Sequence, residues 1–173
     1  MHEVTRQDAA LFAPLIGQIA WHAQADVDHW LTIEFGDPHL AVRDPVAMKL
    51  SHADKVQKSL SRRRVFLVGH WHFWVQEARW KLRCSQRSIG TDGVWRDAAA
   101  SECFDELQGQ KLVSAAIGSH AHSWVLKFDL GAILELEPEP DAAPESDQWT
   151  LHAWDGDVIG YQNDGRWTVE KAS

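Results

Sequence analysis

Residues 151–169 read LHAWDGDVIGYQNDGRWTV. Apolar and polar side chains alternate, and Asp-Gly pairs fall at Asp155-Gly156 and Asp164-Gly165. Glycine accepts the positive φ that a tight hairpin demands, so each pair marks a turn between antiparallel strands. The stretch predicts three short strands in a meander. Residues 124–137, WVLKFDLGAILELE, repeat the arrangement around Asp129 and Gly131.

Working outward, the chain reads as if it were written twice. LIGQIAWHAQADVDHWLTIEFGDPHLAVRDP begins at Leu15, and LQGQKLVSAAIGSHAHSWVLKFDLGAILELEPEP begins at Leu107. Both open Leu-x-Gly-Gln, then run through a strand-like segment to a Trp and a Phe (Trp30 and Phe35; Trp124 and Phe128). VGHWHFWVQEARWKL from Val68 likewise matches DGDVIGYQNDGRWTV from Asp155, both reaching Arg-Trp. The order of these matches predicts an internal duplication with a period of roughly ninety residues. The expected fold is a β-rich α+β domain. Two similar antiparallel β-meander units, residues 1–88 and 89–173, would pack around a Trp-rich core as one compact domain. Short flanking helices are expected over about 6–13 and about 97–107, each with an Asp placed to cap. A further helix over about 46–61 would start at Asp44-Pro45, since Pro is tolerated at the first helical position. The segment ELEPEPDAAPESDQ, 135–148, holds three prolines and six acids and reads as a solvated loop.

Composition narrows the function. The chain has 173 residues and a net charge of −8. Residues 1–86 carry nine acids and eleven Lys or Arg; residues 87–173 carry sixteen acids and six Lys or Arg. An acidic balance argues against nucleic acid as a partner. No apolar run is long enough to span a bilayer. The start, MHEVTRQDAALFAP, lacks the basic and apolar regions of a signal peptide, so a cytoplasmic location is expected. Cys84 and Cys103 form no Cys-x-x-Cys, and two reduced thiols are the expectation for that compartment. Ten tryptophans stand against one tyrosine. So many indoles must fill a core, an interface or a ligand cavity, and alternating spacing in strands favours the core. No phosphate-cradling glycine loop or Gly-x-Ser-x-Gly elbow occurs.

The histidines are the remaining candidates. GHWHFW, 69–74, places His70 and His72 two apart, and GSHAHSW, 118–124, does the same for His120 and His122. In a strand, alternate residues share a face. His70, His72 and Glu77 resemble part of the first metal-binding motif of the cupin barrels, His-x-His followed by Glu. Arg64 and Cys84 stand where that motif has glycines, and the second motif is missing. If the likeness held, a divalent metal would sit on those three side chains. Without metal, imidazoles on a half-exposed strand suit ordinary hydrogen bonding.

LTIEFGDPHLAVRDP, RRRVFLVGHWHFWV and DQWTLHAWDGDVIGYQNDGRW resemble a group of bacterial proteins over nearly the whole chain. That group carries Phe-Gly-x-Pro-x-Leu-x-x-Arg-x-Pro, Arg-Arg with Gly-x-Trp-His-x-Trp, and Gln-Trp-x-Leu with Asp-Gly blocks. The resemblance implies that Gly69, Trp71, His72 and Trp74 belong to a shared pattern, with His70 in a looser position. It implies no activity. The leading expectation is a non-enzymatic, cofactor-free protein-interaction module, of the immunity type that neutralises a basic toxin domain. Glu135, Glu137, Glu139 and Asp141 would form its acidic binding surface. A homodimer is compatible with this. The alternatives are a cupin-like metalloprotein on His70, His72 and Glu77, and a small-ligand binder with a Trp-lined pocket.

Overall fold

The computed structural model describes residues 8–26, 29–45, 61–92 and 98–171. A 3₁₀ helix, Asp8–Leu15, comes first. Five strands follow: β1 (Ala20–Ala25), β2 (Leu31–Arg43), β3 (Arg64–Val75), β4 (Ala78–Arg83) and β5 (Ser88–Gly90). The helix α1 (Ala98–Leu107) precedes β6 (Leu112–Ile117), β7 (Trp124–Phe128), β8 (Ile133–Pro138), β9 (Asp147–Ala153), β10 (Val158–Gln162) and β11 (Trp167–Glu170). These strands form two antiparallel sheets. One has the order β1-β2-β3-β9-β10-β11 and the other β5-β4-β8-β7-β6. A bridge between Ile19 and Lys111 stitches the β1 edge of the first to the β6 edge of the second.

The glycine turns form where the sequence places them. Gly131, Gly156 and Gly165 all have positive φ, and backbone bonds close the turns, as from Gln162 N–H to Arg166 C=O at 2.7 Å. The alternation then decides what each sheet hides. Trp149 and Tyr161 of the six-stranded sheet meet Trp124 of the five-stranded one, and Phe12 of the 3₁₀ helix is wedged among Phe73, Trp124 and Trp149. Trp149 stacks on Tyr161 at 5.4 Å with an 8° tilt. Trp80, Trp124 and Trp149 are fully buried. Trp21, Trp71 and Trp74 are half-buried, while Trp30, Trp154 and Trp167 are exposed. The indoles therefore divide between the core and the outside of the sheets, where the sequence reading assigns them chiefly to the core.

Several expectations need correction. The pairings do not confirm the duplication. β1 and β2 pair, as β6 and β7 do, but β3 and β4 lie in different sheets where their counterparts β10 and β11 form one hairpin. The acidic segment is not all loop. Glu135 and Glu137 lie in β8, and β9 begins at Asp147. On the neighbouring β4, Arg79 lies directly opposite Glu137 and pairs with it, and Arg83 pairs diagonally with Glu135. The helices over 6–13 and 97–107 appear as Asp8–Leu15 and Ala98–Leu107, whereas 46–60 lies outside the described residues. No helix among the described residues is long and apolar enough to cross a membrane.

Cys84 and Cys103 are joined in a disulfide, against the expectation of two reduced thiols. Their Cα atoms are 5.7 Å apart, because Cys84 follows β4 and Cys103 faces it from α1. Ser85 adds bonds from its backbone N–H and hydroxyl to Glu106 of α1. The bridge spans nineteen residues, and closing such a loop in the unfolded chain contributes about 3 kcal/mol. Replacing Cys84 with Ser is expected to lower stability by about that amount in urea unfolding, and reductant should bring the wild type to the same level. An unchanged midpoint in both would mean the thiols are free.

Candidate functional site

The outer face of the six-stranded sheet carries the most organised polar group. Its position follows from a bulge in β2 between Phe35 and Pro38. Gly36 takes φ +76° there, and β3 crosses opposite with Gly69. A Cβ on Gly69 would lie 2.7 Å from the Phe35 carbonyl oxygen and 2.8 Å from its nitrogen, so only glycine fits this close approach. The Gly69 N–H donates to Glu34 Oε2 at 2.7 Å. Register then sets His72 opposite Glu34 on one side and His152 on the other. His72 Nδ1 donates to Glu34 Oε1 at 2.7 Å.

Glu34 is 6% exposed. A buried carboxylate is tolerated only when its oxygens are bonded, and both are. With Nδ1 donating to Glu34, the tautomer of the uncharged ring puts the free lone pair on Nε2. His72 is one-third exposed, so that nitrogen can meet a ligand. Beside it, Gln76 Nε2 donates to Thr150 Oγ1, and the Thr150 hydroxyl lies 3.0 Å from His152 Nε2. Burial, and then the neighbouring His72, hold the His152 pKa below the ordinary imidazole value.

Indoles frame this group. Trp74 lies 6.4 Å from the His152 ring, and Trp30 meets Trp74 edge-on at 5.3 Å with a 73° tilt. A second bulge, in β1, turns both Trp21 and Gln24 to the same face. Trp21 Nε1 donates to Gly36 C=O at 2.9 Å, which fixes its ring. Two open clefts result. One of about 660 Å³ is lined by Trp21, Glu34, Phe66 and Val68, the other of about 330 Å³ by Asp26, Trp30, Thr32 and Trp74. They share Gln24 and His72, and among the described residues neither is lined by Lys or Arg.

The sequence candidates fare differently. His70 and His72 do share a face, but His70 Nδ1 lies 3.2 Å from His39 Nε2, whose ring stacks on Trp154. Glu77 sits past the end of β3 and lines another cleft with Arg79, Asp92, Glu139 and Asp141. Among the described residues, no three His, Cys, Asp or Glu side chains are grouped to hold a metal ion. His120 and His122 do not share a strand face, because 118–123 forms the turn between β6 and β7. Glu135 and Glu137 face Arg83 and Arg79, so their charge is offset locally. Sequence reasoning missed Glu34, Gln76, Thr150 and His152. The one available signal was an acid at 34 inside the apolar run Leu-Thr-Ile-Glu-Phe. Comparisons with protein-family models, with curated proteins and with solved structures find no match to this chain.

The depressed His152 pKa makes stability depend on pH. Below the ordinary imidazole value of 6.5 the unfolded chain takes up this proton while the folded chain resists it, so stability falls as pH drops from 6.5 toward the folded-state value. Above 6.5 no penalty applies. Urea unfolding across this range should show that acid-side loss in the wild type and a shallower loss in His152→Gln. Equal slopes would contradict the assignment.

Proposed function

We propose that this protein binds a small uncharged molecule on the outer face of the six-stranded sheet, with His72 at the centre. The observation that carries this reading is the Glu34–His72 pair, in which a buried carboxylate holds an imidazole that lines two adjoining clefts, one walled by Trp21 and the other by Trp74. Ligand sites combine apolar walls with a few fixed polar groups, and this one has both. Among the described lining residues there is no Lys or Arg, which disfavours phosphates and carboxylates as ligands. Binding needs no chemistry beyond a hydrogen bond to Nε2 and contact with the indoles.

A second reading, the protein-interaction module expected from composition, draws support from a different place. Beyond the bulge, β2 and β3 continue as a two-stranded arm that pairs with neither β1 nor β9. Leu40 and Val42 lie opposite Leu67 and Val65 on the arm, and all four are more than half exposed. Exposed apolar surface of this kind suits a protein partner. An immunity-type role would rest on this arm more than on Glu135 and Glu137, whose charges are already paired.

One titration separates the readings. Indole, phenol, glucose and N-acetylglucosamine are each added while NMR follows the Trp74 indole N–H and His72 ring signals. The ligand reading expects at least one compound to shift both sets saturably, and His72→Ala to weaken that compound. Silence of both residues toward all four overturns it and leaves the arm as the better-supported surface.

A further inference from the structure

The two clefts share Gln24 and His72, so they form one groove that crosses β1, β2 and β3. Indoles stand along it rather than around one point: Trp21 lies in the larger cleft, Trp30 and Trp74 in the smaller. Between them are Gln24 and Thr32, which exchange hydrogen bonds without carrying charge, and His72, whose Nε2 is left over from the bond to Glu34. The groove therefore asks for an extended ligand with apolar faces and neutral hydroxyl edges.

Building on the ligand-binding reading, we propose that this groove takes a neutral oligosaccharide, with one sugar ring on Trp74 and a hydroxyl donated to His72 Nε2. A sugar ring offers a C–H face to an indole and a rim of hydroxyls that both donate and accept. Planar aromatic ligands fit less well. They are best held between parallel walls, and Trp30 and Trp74 stand at 73° to each other. Perpendicular indoles instead suit a chain whose successive rings turn relative to one another. Glu34 in the lining opposes uronic acids and phosphorylated sugars, and no Lys or Arg stands beside it among the described lining residues.

The test is calorimetric titration of the whole chain with neutral hexasaccharides (β-1,4-linked glucose, xylose, mannose and N-acetylglucosamine) and with a galacturonate hexamer. At least one neutral hexamer should bind, its own monomer at least about tenfold more weakly, and the galacturonate hexamer not at all. Trp74→Ala should weaken that hexamer by about tenfold, the scale of a lost aromatic contact. Trp30→Ala, at an exposed position that the core does not need, should also weaken it. Equal affinity for monomer and hexamer, equal affinity for galacturonate, or unchanged binding in both variants would overturn the proposal. So would no binding of any neutral hexamer. In that case, indole or phenol shifting His72 would leave the ligand reading standing, and silence there would remove both.

Discussion

A carboxylate can be taken out of water only if something replaces the water, and for Glu34 two groups do so. One is the Gly69 N–H and the other is His72 Nδ1, each at 2.7 Å. The first depends on the bulge that brings the β2 backbone close to Gly69, and the second on the register that pairs Glu34 with His72. A side chain at 69 would push the strands apart, unpair one oxygen and release the imidazole. The polar face is thus anchored by backbone geometry rather than by side chains adjusting to one another, which is why it can stay fixed while one-third of His72 remains open to solvent.

The same sheet serves two ends because its faces are chemically separate. Phe73, Trp149 and Leu151 point inward and are fully buried among the aromatic rings that join the sheets. Their neighbours His72, Thr150 and His152 point outward. A side-chain period of two means that a slip of one residue would exchange these sets, so the buried aromatics also enforce the register that aligns Glu34, His72 and His152. Packing between the sheets and geometry of the groove are two consequences of one alignment.

Local features were legible in the sequence. The Asp-Gly turns at 155 and 164, the turn at Asp129 and the helix after residue 97 depend on a few neighbouring residues, and the structure places them as read. What failed depended on distant pairings. Glu34 and His72 are 38 residues apart. Their contact rests on the register between β2 and β3, which no local pattern announces. β4 leaves its neighbour β3 for the other sheet after a turn of two residues, which periodicity alone does not reveal. Cys84 and Cys103 meet only because α1 packs beside β4. Glu135 and Glu137 look like loop acids until β4 brings Arg83 and Arg79 to pair with them. His72 was singled out on sequence, but the partners that give it a role could not be.

The claim on which the site rests is that Glu34 fixes which nitrogen of His72 carries the proton. NMR of the ¹⁵N-labelled imidazole, in its neutral form, tests it directly. The structure predicts a protonated Nδ1 and an unprotonated Nε2 in the wild type, with that preference weakened when Glu34 is replaced by Gln. A neutral His72 protonated at Nε2, or a proton distribution indifferent to Glu34, would contradict it.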